Sequence, residues 1–421
     1  MIPTLPHCEH GRAGLVAVLL IVSILAGPAS AQEAAGSAAP AVAGPAETDL
    51  LDLIRRWRKK PEPAEADARR RVVFLVVPLI GAKPTTGLRV GAGASIEFPL
   101  GDPATTRISA ITTGAMISTK KQFSVSMSPT LYGPDNVWQL DSDDHFSQTQ
   151  TRNGALGTES RVEPSNVNYD SVRFFNTYSR RFAPSLYAGL GIYYAAQRNI
   201  APASADEAAF EASPFVSYSR EHGFDLSRQV AAGPGATLVF DNRDVPADPS
   251  HGSLASATFR MYVKDFLGGD SNWQRVTLDL RTYRPLSRTN RHTLAFWGYG
   301  DFVTSGTAPY LSLPMTGGDP RGRSGRGYAE GQFRGERFFY GEAEYRATLT
   351  ANGLIGMTVF ANMTSAASPS ANERLFDSVA PGGGVGLRVL LQKRSRTNLC
   401  FDLGFGRDGS IGFYVGLAEA F

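Results

Sequence analysis

Along most of this chain, hydrophobic residues recur at every second position. In the last segment Ile411, Phe413, Val415, Leu417 and Phe421 fall on one face, with Gly412, Tyr414, Gly416, Ala418 and Ala420 on the other. The segment before it repeats this: Leu399, Phe401, Leu403 and Phe405 alternate with Asn398, Cys400, Asp402, Gly404 and Gly406. Near the start, Leu88, Val90, Ala92, Ala94, Ile96 and Phe98 alternate with Arg89, Gly91, Gly93, Ser95 and Glu97. A period of two places successive side chains on opposite faces of a strand. Segments of about ten residues, apolar on one face and polar or glycine on the other, mark the strands of a transmembrane barrel. A soluble sandwich also alternates, but it turns its apolar face inward and seldom carries so much glycine outside.

Sixteen segments fit the pattern, near 71–81, 87–99, 106–117, 122–132, 137–149, 168–181, 184–198, 229–243, 252–266, 272–286, 292–304, 338–349, 353–363, 382–392, 397–406 and 411–421. The fold class predicted is all-β: an antiparallel transmembrane β-barrel of sixteen strands, an even count as bacterial single-chain barrels have. The long connections 150–167, 199–228, 305–337 and 364–381 follow strands 5, 7, 11 and 13, all odd-numbered. That parity suits a barrel with both termini in the periplasm and its long loops outside. Short connections at Lys83-Pro84, Thr350 to Asn352 and Arg407 to Ser410 read as periplasmic turns.

The first 70 residues lack this period. Arg12, the apolar run Ala13 to Gly27 and the tripeptide Ala29-Ser30-Ala31 read as a signal peptide over 1–31. Residues 32–70 read as a disordered periplasmic leader in which Asp49 to Arg58 could form a short amphipathic helix. The basic residues after it read as a solvated tether, the rival being a membrane-docked segment.

Composition excludes several chemistries. A net charge of +3 gives no footprint for nucleic acid. Cys8 leaves with the signal, so Cys400 has no partner for a disulfide, and no Cys/His cluster suggests a metal. No cofactor is expected. His251 and Ser253 are spaced for one strand face, but they lie in the turn signature Pro249-Ser250-His251-Gly252-Ser253 with no orienting carboxylate or Asn suitably spaced, so no enzyme is expected. Asp141, Asp143, Asp144 and His145 read as a hydrated strand rim, not a cation site.

The sixth odd-to-even connection, here loop 6, runs Met315-Thr316-Gly317-Gly318-Asp319-Pro320-Arg321-Gly322-Arg323-Ser324-Gly325-Arg326-Gly327-Tyr328, and the next strand carries Glu342, Glu344, Tyr345 and Arg346. With Phe240-Asp241-Asn242-Arg243-Asp244, Pro249 and Gly252, and the terminal Phe421, this resembles the bacterial surface antigen family, the superfamily of the BamA and TamA assembly factors and the two-partner secretion transporters. Arg326, Gly327 and Tyr328 match its loop 6 motif, with Gly325 where an aliphatic residue is usual. Asp241, Arg243 and Asp244 match its strand-end turn. Phe413, Val415, Leu417 and Phe421 look like the C-terminal sorting signal read by the barrel assembly machinery.

The resemblance implies that loop 6 folds into the lumen and that Arg326 meets acidic side chains there. Glu344 is the first candidate, then Glu342 and Asp402, with Asn362 as a neutral acceptor on strand 13. The family's POTRA domains have no counterpart in the 39 residues that precede strand 1 after signal cleavage, as in a POTRA-less branch. Implied partners are outer-membrane lipid, the assembly machinery for the protein's own insertion, and a client protein or periplasmic adaptor. The function implied is assembly or translocation at the outer membrane of a Gram-negative bacterium. The alternative is a passive or gated pore, or a structural barrel. Pro78 in strand 1 and Gly412 and Gly416 in strand 16 weaken ladder pairing, so a labile seam is expected, with Val76 near Val415.

Overall fold

A computed structural model describes residues 47–59, 72–83, 87–153, 156–159, 165–203, 207–369, 372–393 and 395–421. The signal segment 1–31 and most of the leader lie outside these. Sixteen antiparallel strands close into one barrel in sequence order. They are β1 (Val73–Lys83), β2 (Gly87–Phe98), β3 (Ser109–Ser118), β4 (Phe123–Tyr132), β5 (Trp138–Asn153), β6 (Ser165–Ala183), β7 (Leu186–Pro202) and β8 (Arg228–Asp241). The second half comprises β9 (Gly252–Tyr262), β10 (Trp273–Pro285), β11 (His292–Gly306), β12 (Arg337–Thr348), β13 (Ile355–Ala367), β14 (Ala380–Gln392), β15 (Thr397–Gly406) and β16 (Ile411–Leu417).

The alternation becomes the wall. Phe74, Val76, Leu88, Ile117, Leu190 and Phe405 point outward and are exposed on the barrel's surface, where a bilayer replaces water as their solvent. The lumen is less purely polar than the sequence pattern suggests. Tyr283, Trp297, Tyr299, Phe338 and Tyr340 form an aromatic cluster inside it, against Tyr328 and Phe333 of loop 6 and Phe421. Aromatic side chains fill space between wall and loop; Trp297 Nε1 donates to Asp279 at 3.0 Å and the Tyr340 hydroxyl to Glu342, whereas the buried Tyr283 hydroxyl has no hydrogen-bond partner among the described residues.

Several expectations change. Strands β5 to β7 reach further than the clean alternation shows, to Asn153, Ser165 and Pro202. The connection after β7 holds two helices, α2 (Glu207–Glu211) and α3 (Pro214–Glu221). Phe215, Val216 and Tyr218 of α3 pack with Tyr310 and Leu311 of loop 6. The turns between β1 and β2 and between β15 and β16 are odd-to-even, so in an antiparallel wall they share the rim of the long loops. Arg407 Nη2 reaches Thr158 O of the β5–β6 connection at 2.5 Å. Of the three short connections read as periplasmic turns, only that around Thr350 to Asn352 is on the other rim.

The last strand ends at Leu417, four residues before the end of the apolar-face pattern. Ala418 takes a left-handed φ of 65° and turns the chain off the wall. Phe421 therefore leaves the lipid-facing row and is fully buried in the lumen, its ring 5.3 Å from Trp297 and 6.2 Å from Tyr283.

Closure between β1 and β16 rests on a single register pair, Ala82↔Phe413. Continued along the antiparallel strands, that register sets Val415 opposite Ile80, not Val76. Towards the rim that carries Val73 and Leu417, the two edges overlap. Leu75 and Val77 pair across the ladder with Ser95 and Gly93, on the same face as Arg89, which lines the lumen. Yet they share an apolar cluster with Leu399 and Leu417, whose face carries the exposed Leu403, Phe405 and Ile411. Glu97, also on the inner face, accepts from Ser395 Oγ at 3.0 Å and Thr397 Oγ1 at 3.2 Å. The inner face of β1–β2 thus lies on the outer face of β15–β16, a lap joint of side chains in place of a ladder.

Helix α1 (Leu50–Trp57) sits at this rim. A capping box starts it: Asp49 Oδ1 accepts from Asp52 N at 2.7 Å and Asp52 Oδ2 from Asp49 N at 3.3 Å. The helix is fixed to the barrel. Lys393 N donates to Asp49 at 2.8 Å and Lys393 Nζ to Asp52 at 2.9 Å. The basic run after residue 59 lies outside the described residues.

Candidate functional site: loop 6 and the luminal charge network

Loop 6 enters the lumen because its backbone is organised there and the wall leaves room. Asp319 accepts from the backbone N–H groups of Arg321, Arg323 and Ser324 at 3.1, 2.8 and 2.6 Å, folding the glycine-rich stretch on itself. Gly325 has φ +86°, and a Cβ there would strike Thr316. The aliphatic residue usual at this place would be strained, so glycine here follows from the local backbone. Gly327, at φ +105°, lies so close to the wall that a Cβ would come within 2.7 Å of the Phe405 carbonyl. The wall is correspondingly small: a Cβ on Gly404 would meet Gly327 N at 2.7 Å, and one on Gly406 the Tyr328 ring at 2.5 Å.

Arg326 is completely buried. Its Nε donates to Glu342 Oε2 at 3.1 Å and its Nη1 to Asp402 Oδ2 at 3.1 Å. Nη2 donates to both Glu342 and Glu344. The guanidinium carbon lies 3.6 Å from the centre of the Phe360 ring, and Asn362 Nδ2 donates to Arg326 O at 3.0 Å. All four lumen partners expected from the sequence therefore converge on one arginine. Asn362 does so as a donor, where the sequence reading made it an acceptor, because it meets the backbone carbonyl rather than the guanidinium. Tyr328 is also buried; its hydroxyl donates to Pro381 O and accepts from Arg407 N at 3.1 Å. Tyr414 joins both, accepting from Gly327 N at 3.1 Å and donating to Tyr328 O at 3.3 Å.

Four residues not expected as partners extend this node, only Arg346 of them belonging to the strand motif read in the sequence. Arg346 Nε donates to Glu344 at 2.7 Å. Arg388 bridges Asp402, at 2.6 Å from Nη1, and Glu419, at 2.8 Å from Nε. Tyr340 donates to Glu342. Three guanidiniums (Arg326, Arg346, Arg388) thus face four carboxylates (Glu342, Glu344, Asp402, Glu419). Buried charges are costly unless paired and hydrogen-bonded, and the bidentate fork of Arg suits the task, although Arg346 Nη1 and Arg388 Nη2 find no hydrogen-bond partner among the described residues. Arg346 and Arg388 were visible as inward positions of their strands, but Glu419 was not, since it lies beyond the bend at Ala418. Arg346 also donates to Phe421 O at 3.1 Å, tying the chain's last residues to the loop 6 node.

The Asp241 turn makes a second node at the opposite rim. Asp241 accepts from Arg243 Nε at 2.9 Å and from Arg107 Nη1 at 2.8 Å. Asp244 accepts from Ser250 Oγ at 2.6 Å and lies 3.3 Å from His251 Nδ1. A carboxylate therefore does sit beside His251, through a turn rather than along a strand, but Ser253 is held elsewhere, donating to Thr282 Oγ1 at 3.0 Å. Of the β5 acids, Asp143 pairs with Arg173 at 3.0 Å and Asp144 accepts from Asn176 at 3.1 Å. Phe413, Val415 and Leu417 remain on the outer face of β16, without Phe421.

Beside loop 6 the lumen keeps a polar chamber of about 650 Å³, lined by hydroxyl residues and by Arg89, Arg260, Arg321 and Arg323. The geometry defines a membrane barrel whose own loop is locked across its interior by a buried arginine. Residues 86–421 match the Omp85 superfamily domain, and the chain belongs to that superfamily of outer-membrane β-barrels. Among solved structures, the chain is similar to BamA from Haemophilus ducreyi lacking POTRA domains 1–3, with TM-score 0.52, 15% identity, and 83% of this chain and 70% of that one covered. It is also similar to CdiB from Acinetobacter baumannii (TM-score 0.50, 14% identity, 82% and 59% covered) and CdiB from Escherichia coli (0.52, 12%, 85% and 63%). It spans less than two thirds of either CdiB chain, and at these identities the likeness is one of fold. No curated protein matches the sequence.

Proposed function

We propose that this barrel assists the assembly or translocation of proteins at the outer membrane of a Gram-negative bacterium, with its long loops outside and both termini periplasmic. The observation that carries this reading is the seam. Every other neighbouring pair of strands is joined by a ladder of seven or more register pairs, whereas β1 and β16 share one. Parting that edge breaks few backbone hydrogen bonds, and an edge with open N–H and C=O groups can accept a strand from another chain. Loop 6 and its arginine node keep the lumen plugged while the seam works. A client protein or periplasmic adaptor is the implied partner. The outward row Phe413, Val415 and Leu417, with Phe421, serves as the sorting signal while the chain is still extended; folding then withdraws Phe421.

A cysteine pair at Ala82 and Phe413, in a Cys400→Ala background, tests the seam. Oxidation is expected to abolish assembly activity in cells lacking the native protein, and reduction to restore it. Full activity with the seam locked would leave a pore. The 650 Å³ chamber favours that second reading, which predicts that Arg326→Ala raises conductance without an assembly defect.

A further inference from the structure

Helix α1 has two apolar sides and only one is covered. Leu50 and Leu51 pack against the cluster of Leu75, Val77 and Leu391, over the lap joint. Leu53 and Ile54 remain exposed, and Trp57 is 81% exposed. The charges are sorted in the same way. Asp49 and Asp52 face the barrel at Lys393, and Arg55 bends back to Asp52 at 3.2 Å. Arg56, Arg58 and Lys59 are exposed and, among the described residues, carry no acidic partner. Leu399 and Leu417, which pack against the same cluster, belong to the wall's outward face. The covered side of α1 thus shares one cluster with outward residues of the wall, at the rim that carries Val73 and Leu417.

We infer that α1 is an interfacial membrane anchor: Leu53, Ile54 and Trp57 enter the head-group boundary of the leaflet at that rim, and Arg56, Arg58 and Lys59 meet anionic phospholipid head groups. Its covered apolar residues share a cluster with Leu399 and Leu417 of the lipid-facing wall, and the charge of its exposed side is complementary to anionic lipid. A short amphipathic helix with a tryptophan at the rim and basic residues beside it is built for that depth. The anchor holds α1 over the lap joint from the lipid side, so the seam is closed at this rim by a protein–lipid contact as well as by side chains. The inference rests on the barrel lying in a bilayer and is independent of what the seam admits.

The test uses the whole chain in lipid nanodiscs, where both faces are open to solvent. The emission difference between wild type and Trp57→Phe isolates one of four tryptophans. Phosphatidylcholine brominated near the head group is expected to quench that emission about twofold, and more strongly with about 30% phosphatidylglycerol present. Replacing Arg56, Arg58 and Lys59 together by Gln is expected to remove the phosphatidylglycerol effect. Emission that ignores brominated lipid and is quenched freely by aqueous iodide overturns the inference. So does emission shielded from both quenchers, which would place a protein surface, such as a second copy, on α1.

Discussion

At the residue scale, Arg326 decides whether loop 6 stays inside. Removing its side chain would leave Glu342, Glu344 and Asp402 buried and short of their common partner. Arg326→Ala is therefore expected to destabilise the barrel by about 3–5 kcal/mol. The measurement is the temperature at which it loses compact migration on unheated gels. Arg326→Lys should rescue little, because one ammonium cannot reproduce a fork that reaches three carboxylates. Gly327→Ala is expected to expel the loop tip, since its Cβ would meet the Phe405 carbonyl; protease cleavage within 317–328 of intact barrels should rise. If cleavage stays at the wild-type rate, the close approach of loop and wall is not what holds the loop.

At the element scale, the informative pieces are β16 and α1. Ala418 holds a left-handed conformation that costs an alanine roughly 1 kcal/mol and a glycine almost nothing. Ala418→Gly is expected to keep or slightly raise stability, and Ala418→Val to lower it and loosen Phe421, readable as slower refolding from urea into detergent. For α1 the docking contact is ionic. Burial pushes the Asp52 carboxyl up, but the Lys393 ammonium, the Asp49 N–H and Arg55 outweigh it and hold it below its ordinary value. Because the folded state favours the carboxylate, the contribution is complete at neutral pH and fades as acid protonates Asp52 below the usual carboxylate range. Proteolysis near residue 59 is expected to be slow at pH 7 and faster only in strong acid. Asp52→Asn should show the fast behaviour already at pH 7.

At the scale of the whole molecule, the sixteen-strand count and the outward apolar face were legible because a bilayer imposes a strict period of two on every strand. Legibility failed where that constraint lapses. The long rim extensions of β5 to β7, the helices after β7 and the bend after Leu417 lie at or beyond the membrane edge, where a strand need not alternate. The side of two of the three short turns was misread for another reason: length says nothing about which rim a turn occupies, whereas strand parity does. With β1 and β16 held by one register pair, the barrel is expected to open there first. Hydrogen exchange of those β1 amides that point to β16 should exceed that of the β10 amides by orders of magnitude, as an edge without a ladder predicts, while the amides bonded to β2 stay protected. Equal protection would mean that the lap joint closes the seam as firmly as a ladder.

What the sequence determined by itself was the wall: alternation fixes which residues face inward, Glu342, Glu344 and Asp402 among them, while the place of Arg326 among those carboxylates was implied only by the family resemblance of its loop. What only the tertiary structure decided was which distant groups share the same space. Glu419 and Phe421 join the arginine node because one left-handed residue redirects the chain. The inner face of β1–β2 meets the outer face of β15–β16 because closure can be made by overlap as well as by pairing. The first depends on contacts 31 and 75 residues apart and the second on contacts 298 and 300 apart, and a local period carries no information about either.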